Sequence, residues 1–162
     1  MPTISLCMIV KNEEAHIARC LDSIAELVDE IIIVDTGSTD RTVEIVSNYT
    51  SQVYRYPWKD DFSEARNYSF SKASMNYCMW MDADDVLEET EKGKFLELKQ
   101  ILAPDTDMVM MKYNTSFDEA GKPSFSYFRE RWIRNCARYR WIGAVHEVIP
   151  PSGRIVYSDI AI

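Results

Sequence analysis

This sequence contains no Cys-x-x-Cys pair, no Gly-x-Gly-x-x-Gly and no Gly-Lys-Ser. The missing glycine motif argues against a dinucleotide-binding fold after the first strand, and the missing Gly-Lys-Ser against a Walker-type nucleotidase. Cysteine is sparse and scattered, at Cys7, Cys20, Cys78 and Cys136. Cys7 and Cys78 stand in apolar runs and read as small buried hydrophobes in a reducing compartment. Positive charge is short too: 18 Lys and Arg against 26 Asp and Glu leave a net charge of −8. That balance argues against nonspecific nucleic-acid binding and gives no sign of association with an anionic membrane. No apolar run reaches the roughly 18 residues of a membrane span, and no signal peptide opens the chain, so the expected location is cytoplasmic. Repeats, low-complexity tracts and linkers are also missing. The expectation is one domain over 1–162, and the 46% hydrophobic content is enough for a sizeable core. The last apolar run stops without a cap or polar tail, which reads as truncation of a longer protein at its C-terminus.

What is present alternates. Thr3 to Val10 is an apolar strand, and Asn12 in Lys11-Asn12-Glu13-Glu14 is a good N-cap for a helix carrying Ile17, Leu21, Ile24 and Val28. Glu30 to Asp35 is apolar until its last residue, as a central parallel strand reads. Thr36-Gly37-Ser38-Thr39-Asp40 is a turn whose Thr39 or Asp40 caps a short helix. Val53 to Tyr56 is a third strand, and Ser63 opens a further helix. Tyr77 to Met81 is a fourth strand, and Glu88 to Leu102 another helix. This β-α-β-α-β-α-β order predicts an α/β fold, a mostly parallel sheet with helices on both faces. After Pro104 the chain becomes β-rich, with strands over Asp107–Asn114, Ser124–Arg134 and Arg154–Ile162. The two parts divide near residue 103.

The fourth strand ends in Asp82-Ala83-Asp84-Asp85. Strand alternation places Asp82 and Asp84 on one face, where two carboxylates repel unless a cation or proton lies between them. An oxygen-only set suits Mg²⁺ or Mn²⁺, ions that keep waters and accept phosphate oxygens, so the predicted site is a metal-assisted diphosphate site. The plainer reading makes these residues a capping turn, with Asp85 as the cap of the next helix. Ligands of open α/β sheets bind outside the carboxyl ends of the strands, and three such ends are polar here. They are Val10 with Lys11 and Glu13, Val34 with Asp35, and Met81 with Asp82 and Asp84. Asp35 reads equally well as a turn former before Gly37. An aspartyl-phosphate phosphatase starting at Asp35 is disfavoured, because position 37 is Gly instead of a second acid.

Met8-Ile9-Val10-Lys11-Asn12-Glu13-Glu14, Val34-Asp35-Thr36-Gly37-Ser38-Thr39-Asp40 and Met81-Asp82-Ala83-Asp84-Asp85, in this order, resemble the GT-A fold glycosyltransferases of family 2. Ser63-Glu64-Ala65-Arg66-Asn67 and Trp141-Ile142-Gly143-Ala144-Val145-His146-Glu147 are similar to a bacterial subgroup of that family. The resemblance spans essentially the whole chain. It implies inverting transfer from a nucleotide-sugar donor, a UDP-sugar, to the hydroxyl of an acceptor sugar, lipid-linked glycan or protein. It makes 1–103 the nucleotide-binding half and 104–162 the acceptor-side half. Val10, Lys11, Glu13 and Asp35 would hold base and ribose, and Arg66 would approach the nucleotide. Asp82 and Asp84 match the Asp-x-Asp motif, with Asp84 on the Mn²⁺ or Mg²⁺. Glu147 would be the acceptor's base, or else a surface acid or an arginine's partner. His146 would be a further metal ligand or a structural residue, and His16 has no role.

Arg129, Arg131, Arg134, Arg138 and Arg140 form a cationic cluster that would steady phosphates or else form ordinary salt bridges. Tyr127, Phe128, Trp132, Tyr139 and Trp141 would stack on a sugar or, for most, belong to the core. Two other readings stand beside transfer: a recognition module of a longer protein, and a nucleotidyltransferase that releases pyrophosphate. The sugar, the acceptor and the oligomeric state are not encoded in these motifs.

Overall fold

The computed structural model describes residues 1–162. In chain order its elements are β1 (Ile4–Val10), α1 (Ile17–Ile24), a 3-10 turn (Ala25–Leu27), β2 (Glu30–Asp35), α2 (Thr42–Val46) and β3 (Val53–Arg55). They continue with α3 (Phe62–Phe70), β4 (Tyr77–Trp80), α4 (Glu89–Ile101), β5 (Met108–Phe117), β6 (Pro123–Arg134) and β7 (Ile155–Ala161). All seven strands join one sheet in the order β3-β2-β1-β4-β6-β5-β7. β1 pairs in parallel with β2 and β4, and β2 with β3. β6 runs antiparallel to both β4 and β5, and β7 lies parallel to β5. β6 is therefore the one strand running against the rest.

β1 is apolar throughout because both of its faces are covered. Ile4, Leu6, Met8 and Val10 enter a large core with Ile17, Cys20, Leu21 and Ile24 of α1 and Phe95 and Leu98 of α4. The α1 residues recur at helical spacing and are all fully buried, so one stripe of that helix faces the sheet. Truncating Ile17, Leu21 or Ile24 to Ala would cost about 2–5 kcal/mol. On the opposite face Cys7, Ile32 and Cys78 pack beneath α3, against Phe70 and Ala73. The chain builds β1, β2 and β3 outward, then returns to the other side of β1 for β4. The sheet thus reverses direction of growth between β1 and β4, the place where such folds bind ligands.

Several expectations change at the loops. Asn12 caps no helix: α1 starts at Ile17 after His16, which makes no side-chain cap bond. Asn12 takes a left-handed φ of 54° and its Oδ1 accepts the Thr39 N–H at 2.7 Å, tying the turn after β1 to the turn after β2. Asp40 does serve α2, accepting the Thr42 N–H at 3.0 Å. Asp85 caps nothing either, because α4 begins four residues later behind Glu88. Its carboxylate is buried against Arg131 at 3.0 Å, a partner 46 residues away that local spacing does not disclose. β4 ends at Trp80, so Asp82 and Asp84 stand on a turn closed by Asp85 N–H to Asp82 O at 3.0 Å, not on an alternating strand.

The arginine cluster disperses. Arg131 pairs with Asp85, Arg129 with Glu130 and Arg134 with Asp107. Trp132, Tyr139 and Trp141 are core residues, whereas Tyr127 and Phe128 are exposed on the β5–β6 hairpin.

Candidate active site

A cavity of about 670 Å³ opens at the carboxyl ends of β1 and β4. Eight expected positions line it: Val10, Lys11 and Glu13 after β1, Asp82 and Asp84 after β4, Arg66 from α3, and His146 and Glu147 from the segment before β7. Asp35 does not line it. It is 4% exposed and its carboxylate accepts the Gly37 and Ser38 N–H groups at 3.2 Å, the arrangement of a turn former. It also borders a smaller hollow of about 240 Å³ with Arg55 and Tyr56, and Thr36 lines both spaces.

Helix α3 positions the wall that carries His146 and Glu147. Asp61 caps it by accepting the Glu64 N–H at 3.0 Å. Ile142 and Val148 exchange backbone hydrogen bonds of 2.9 and 3.1 Å, closing a short loop that carries His146 and Glu147. Gly143 supplies the φ of 101° that this loop needs at its start. Three groups of α3 hold it. The Asn67 side-chain amide brackets the Trp141 backbone with two bonds of 2.9 Å, and Phe62 N–H donates to Ala144 O at 3.0 Å. Arg66 Nε donates to Glu147 Oε1 at 2.6 Å.

Arg66 also donates through Nη2 to Asp82 Oδ1 at 2.8 Å, so one guanidinium spans both walls. It is 6% exposed and lies against both the Trp80 and Trp141 rings, 4.7 and 5.0 Å from their centroids. Burial opposes its charge, yet the Asp82 and Glu147 carboxylates outweigh that and hold its pKa above the usual arginine value. The acids crowd the other side. Burial, with Asp84 next, raises the Glu13 carboxyl above the ordinary glutamate range. Burial also raises the Asp85 carboxyl, with Asp82 adding to it, against the pull of Arg131.

The three non-glycine residues with left-handed backbone are Asn12, Asp60 and His146. Each sits in a loop that lines the cavity, where stored strain is common at functional sites.

No three His, Cys, Asp or Glu side chains gather closely enough to hold a metal unaided. The donors present still suit Mg²⁺ or Mn²⁺, which are commonly held by one or two carboxylates and completed by phosphate oxygens and water. Asp84 is exposed to the cavity and belongs to no ion pair, and its charge already bears on Glu13. His146 is exposed on the opposite wall.

Sequence reasoning missed Trp58, Phe62, Trp80, Tyr113 and the position of Arg129, all of which line the cavity. It also missed the brace formed by Asn67. The aromatic residues of Pro57-Trp58-Lys59-Asp60-Asp61-Phe62, unusual in a polar loop, were the available signal.

Residues 5–156 match the family described as Glycosyl transferase family 2. A TPR repeat-containing protein of Synechococcus elongatus is 35% identical over 155 residues, covering 94% of this chain and 36% of that protein. The SPbeta prophage-derived glycosyltransferase SunS of Bacillus subtilis is 34% identical over 149 residues, covering 90% of this chain and 34% of its own. The chain therefore spans about a third of the length of these curated relatives. Among solved structures, Mycobacterium tuberculosis glucosyl-3-phosphoglycerate synthase in complex with Mn²⁺ and UDP-glucose superposes with a TM-score of 0.56. It is 27% identical, over 69% of this chain and 44% of that one.

Proposed function

Because the chain belongs to glycosyl transferase family 2, we propose that it transfers a sugar from a UDP-sugar to an acceptor hydroxyl, with Mn²⁺ or Mg²⁺ and with inversion. Its sheet is that of the GT-A fold. One observation carries the reading: residues from the ends of β1 and β4 and from the loop before β7 line one cavity of about 670 Å³, a size suited to a bound cofactor or substrate. The Mn²⁺ and UDP-glucose of the mycobacterial structure support the choice of donor.

The roles follow from position. The hollow beside Asp35 and the adjoining part of the main cavity, lined by Val10, Lys11 and Glu13, take the nucleoside. Asp84 with Asp82 would hold the ion, with His146 the candidate for a further ligand from across the cavity. When bound, the ion supplies charge neutralisation of the departing diphosphate. The acceptor oxygen attacks the anomeric carbon from the side opposite the diphosphate, and the bond to the diphosphate breaks with its electron pair. Glu147 takes the hydroxyl proton, its carboxylate oriented by Arg66. Arg66 itself binds the two walls together and lines the cavity, where it would approach the nucleotide.

Calorimetric titration of UDP with Mn²⁺ or with EDTA, on wild type and Asp84→Asn, tests this. Binding should need Mn²⁺ and weaken at least tenfold or so in the variant, the scale expected for a lost metal ligand or its partner. Binding indifferent to EDTA and to the substitution would return Asp84 to the role of a turn residue.

A further inference from the structure

β6 pairs with β5 in register from Met108–Ile133 to Val109–Trp132, then slips so that Met110 faces Glu130. Arg131 is the extra residue of this bulge. Bulges re-aim side chains, and this one sends a guanidinium beneath the end of β4. Arg131 is wholly buried and lies against the Trp80 ring at 3.9 Å and the Tyr113 ring at 4.6 Å. Its Nη1 donates both to Trp80 O, the last residue of β4, and to Asp85 Oδ2, each at 3.0 Å. Asp85 Oδ2 in turn accepts the Asp82 N–H at 3.0 Å. Arg131 therefore grips the two ends of the segment Trp80–Asp85 and touches neither Asp82 nor Asp84 by their carboxylates.

Stability is a poor account of this pair. Buried ion pairs commonly return little net free energy, and here Arg131 Nε and Nη2 have no hydrogen-bond partner, which adds a desolvation cost. What the pair does do is geometric. Without it the turn keeps Asp85 N–H to Asp82 O, Asp82 N–H to Asp85 Oδ2, the Cys20 thiol on Asp82 O and the hold of Arg66 on the Asp82 side chain, but loses its tie to β6.

We propose that Arg131 is a positioning residue that acts through Asp85, setting the direction in which Asp82 and Asp84 face the diphosphate-bound cation. The proposal rests on the reading of those two carboxylates given above. Outer partners of metal ligands typically change metal affinity by about 10–100-fold, and an effect of that order is expected here.

The test is UDP titration in Mn²⁺ and in EDTA on Asp85→Asn, Arg131→Met and Arg131→Lys, each checked for folding by circular dichroism and thermal melting. Wild type first establishes the gain in UDP affinity that Mn²⁺ brings; no gain in wild type overturns the parent reading, and this one with it. Given that gain, Asp85→Asn and Arg131→Met should lose about tenfold of it while EDTA binding stays at the wild-type level. Arg131→Lys, which keeps the charge and one bond, should recover part of the loss. A merely structural pair would lower the melting temperature and leave the Mn²⁺ gain intact in the folded variants, which overturns the proposal. Asp85→Asn preserves side-chain volume and decides the question if Arg131→Met does not fold.

Discussion

Arg66 has exchanged water for two carboxylates and two indole faces, and its worth is set by what it leaves behind when removed. Its sequence context suggests a nucleotide contact. At 6% exposure it also bridges Asp82 and Glu147 as a strut. Removing one partner of a buried ion pair strands the others, at about 3–5 kcal/mol. Arg66→Met should therefore destabilise the fold by that order, with the Glu147 side chain, 11% exposed, contributing more than the better-solvated Asp82. Adding Glu147→Gln should relieve part of the loss, so the double variant falls short of the sum of the singles by about 1–3 kcal/mol. Urea unfolding of the four proteins in the cycle measures this directly. Strict additivity would mean that the strut does not hold Glu147.

At the scale of elements, Glu30 shows how one side chain staples three of them. From the start of β2 it accepts from Ser5 Oγ on β1, from Ser74 N–H and Oγ before β4 at 2.9 and 3.0 Å, and from Gln52 Nε2 before β3 at 3.1 Å. Burial pushes its pKa up, but these bonds outweigh that and leave it below the ordinary value of 4.5. A carboxyl with a depressed folded pKa stabilises fully above its unfolded pKa and loses that contribution as pH falls through the folded value. Glu30→Gln should thus cost about 1–3 kcal/mol near neutral pH, where a charged acceptor is lost. The difference from wild type should shrink as pH drops below about 4.5, because the wild-type carboxyl then protonates too. Denaturant midpoints at the two pH values check the sign, and a difference that grows on acidification would contradict it.

The same elements show what could be read in advance. β1, β2 and β4 were legible because a strand covered on both faces must be apolar until it reaches solvent, and the polar ends of β1 and β4 marked the cavity. Ile17, Leu21 and Ile24 were legible because a helix on a sheet repeats its buried side chains. Asn12 and Asp85 were misread because both have strong local preferences for capping that tertiary partners overrode: Thr39 for one, Arg131 for the other. The insertion of β6 between β4 and β5 was also out of reach, and with it the burial of Arg131. Partners so far apart in sequence become neighbours only once the sheet order is known.

At the scale of the whole molecule the charge poses a problem for an anionic ligand. The chain carries −8, and the cavity sets Lys11, Arg66 and Arg129 against Glu13, Asp82, Asp84 and Glu147. Arg66 and Arg129 are already engaged with carboxylates, which leaves Lys11 as the cation outside any ion pair. Free UDP should therefore meet a repulsive field on approach, unlike ligands steered into a basic cleft. Salt shortens the reach of that field from about 30 Å at 0.01 M to about 8 Å at 0.15 M. The association rate of metal-free UDP should then rise with ionic strength, by roughly twofold to fivefold over that range, in contrast to the fall seen with attractive steering. With Mn²⁺ bound the ligand carries less charge, and the salt dependence should flatten. Trp58 and Trp80 line the cavity, so stopped-flow tryptophan fluorescence can follow both cases. A rate that falls with salt would place the dominant field at Lys11 and its neighbours, and the ion would then be needed for holding the diphosphate but not for admitting it.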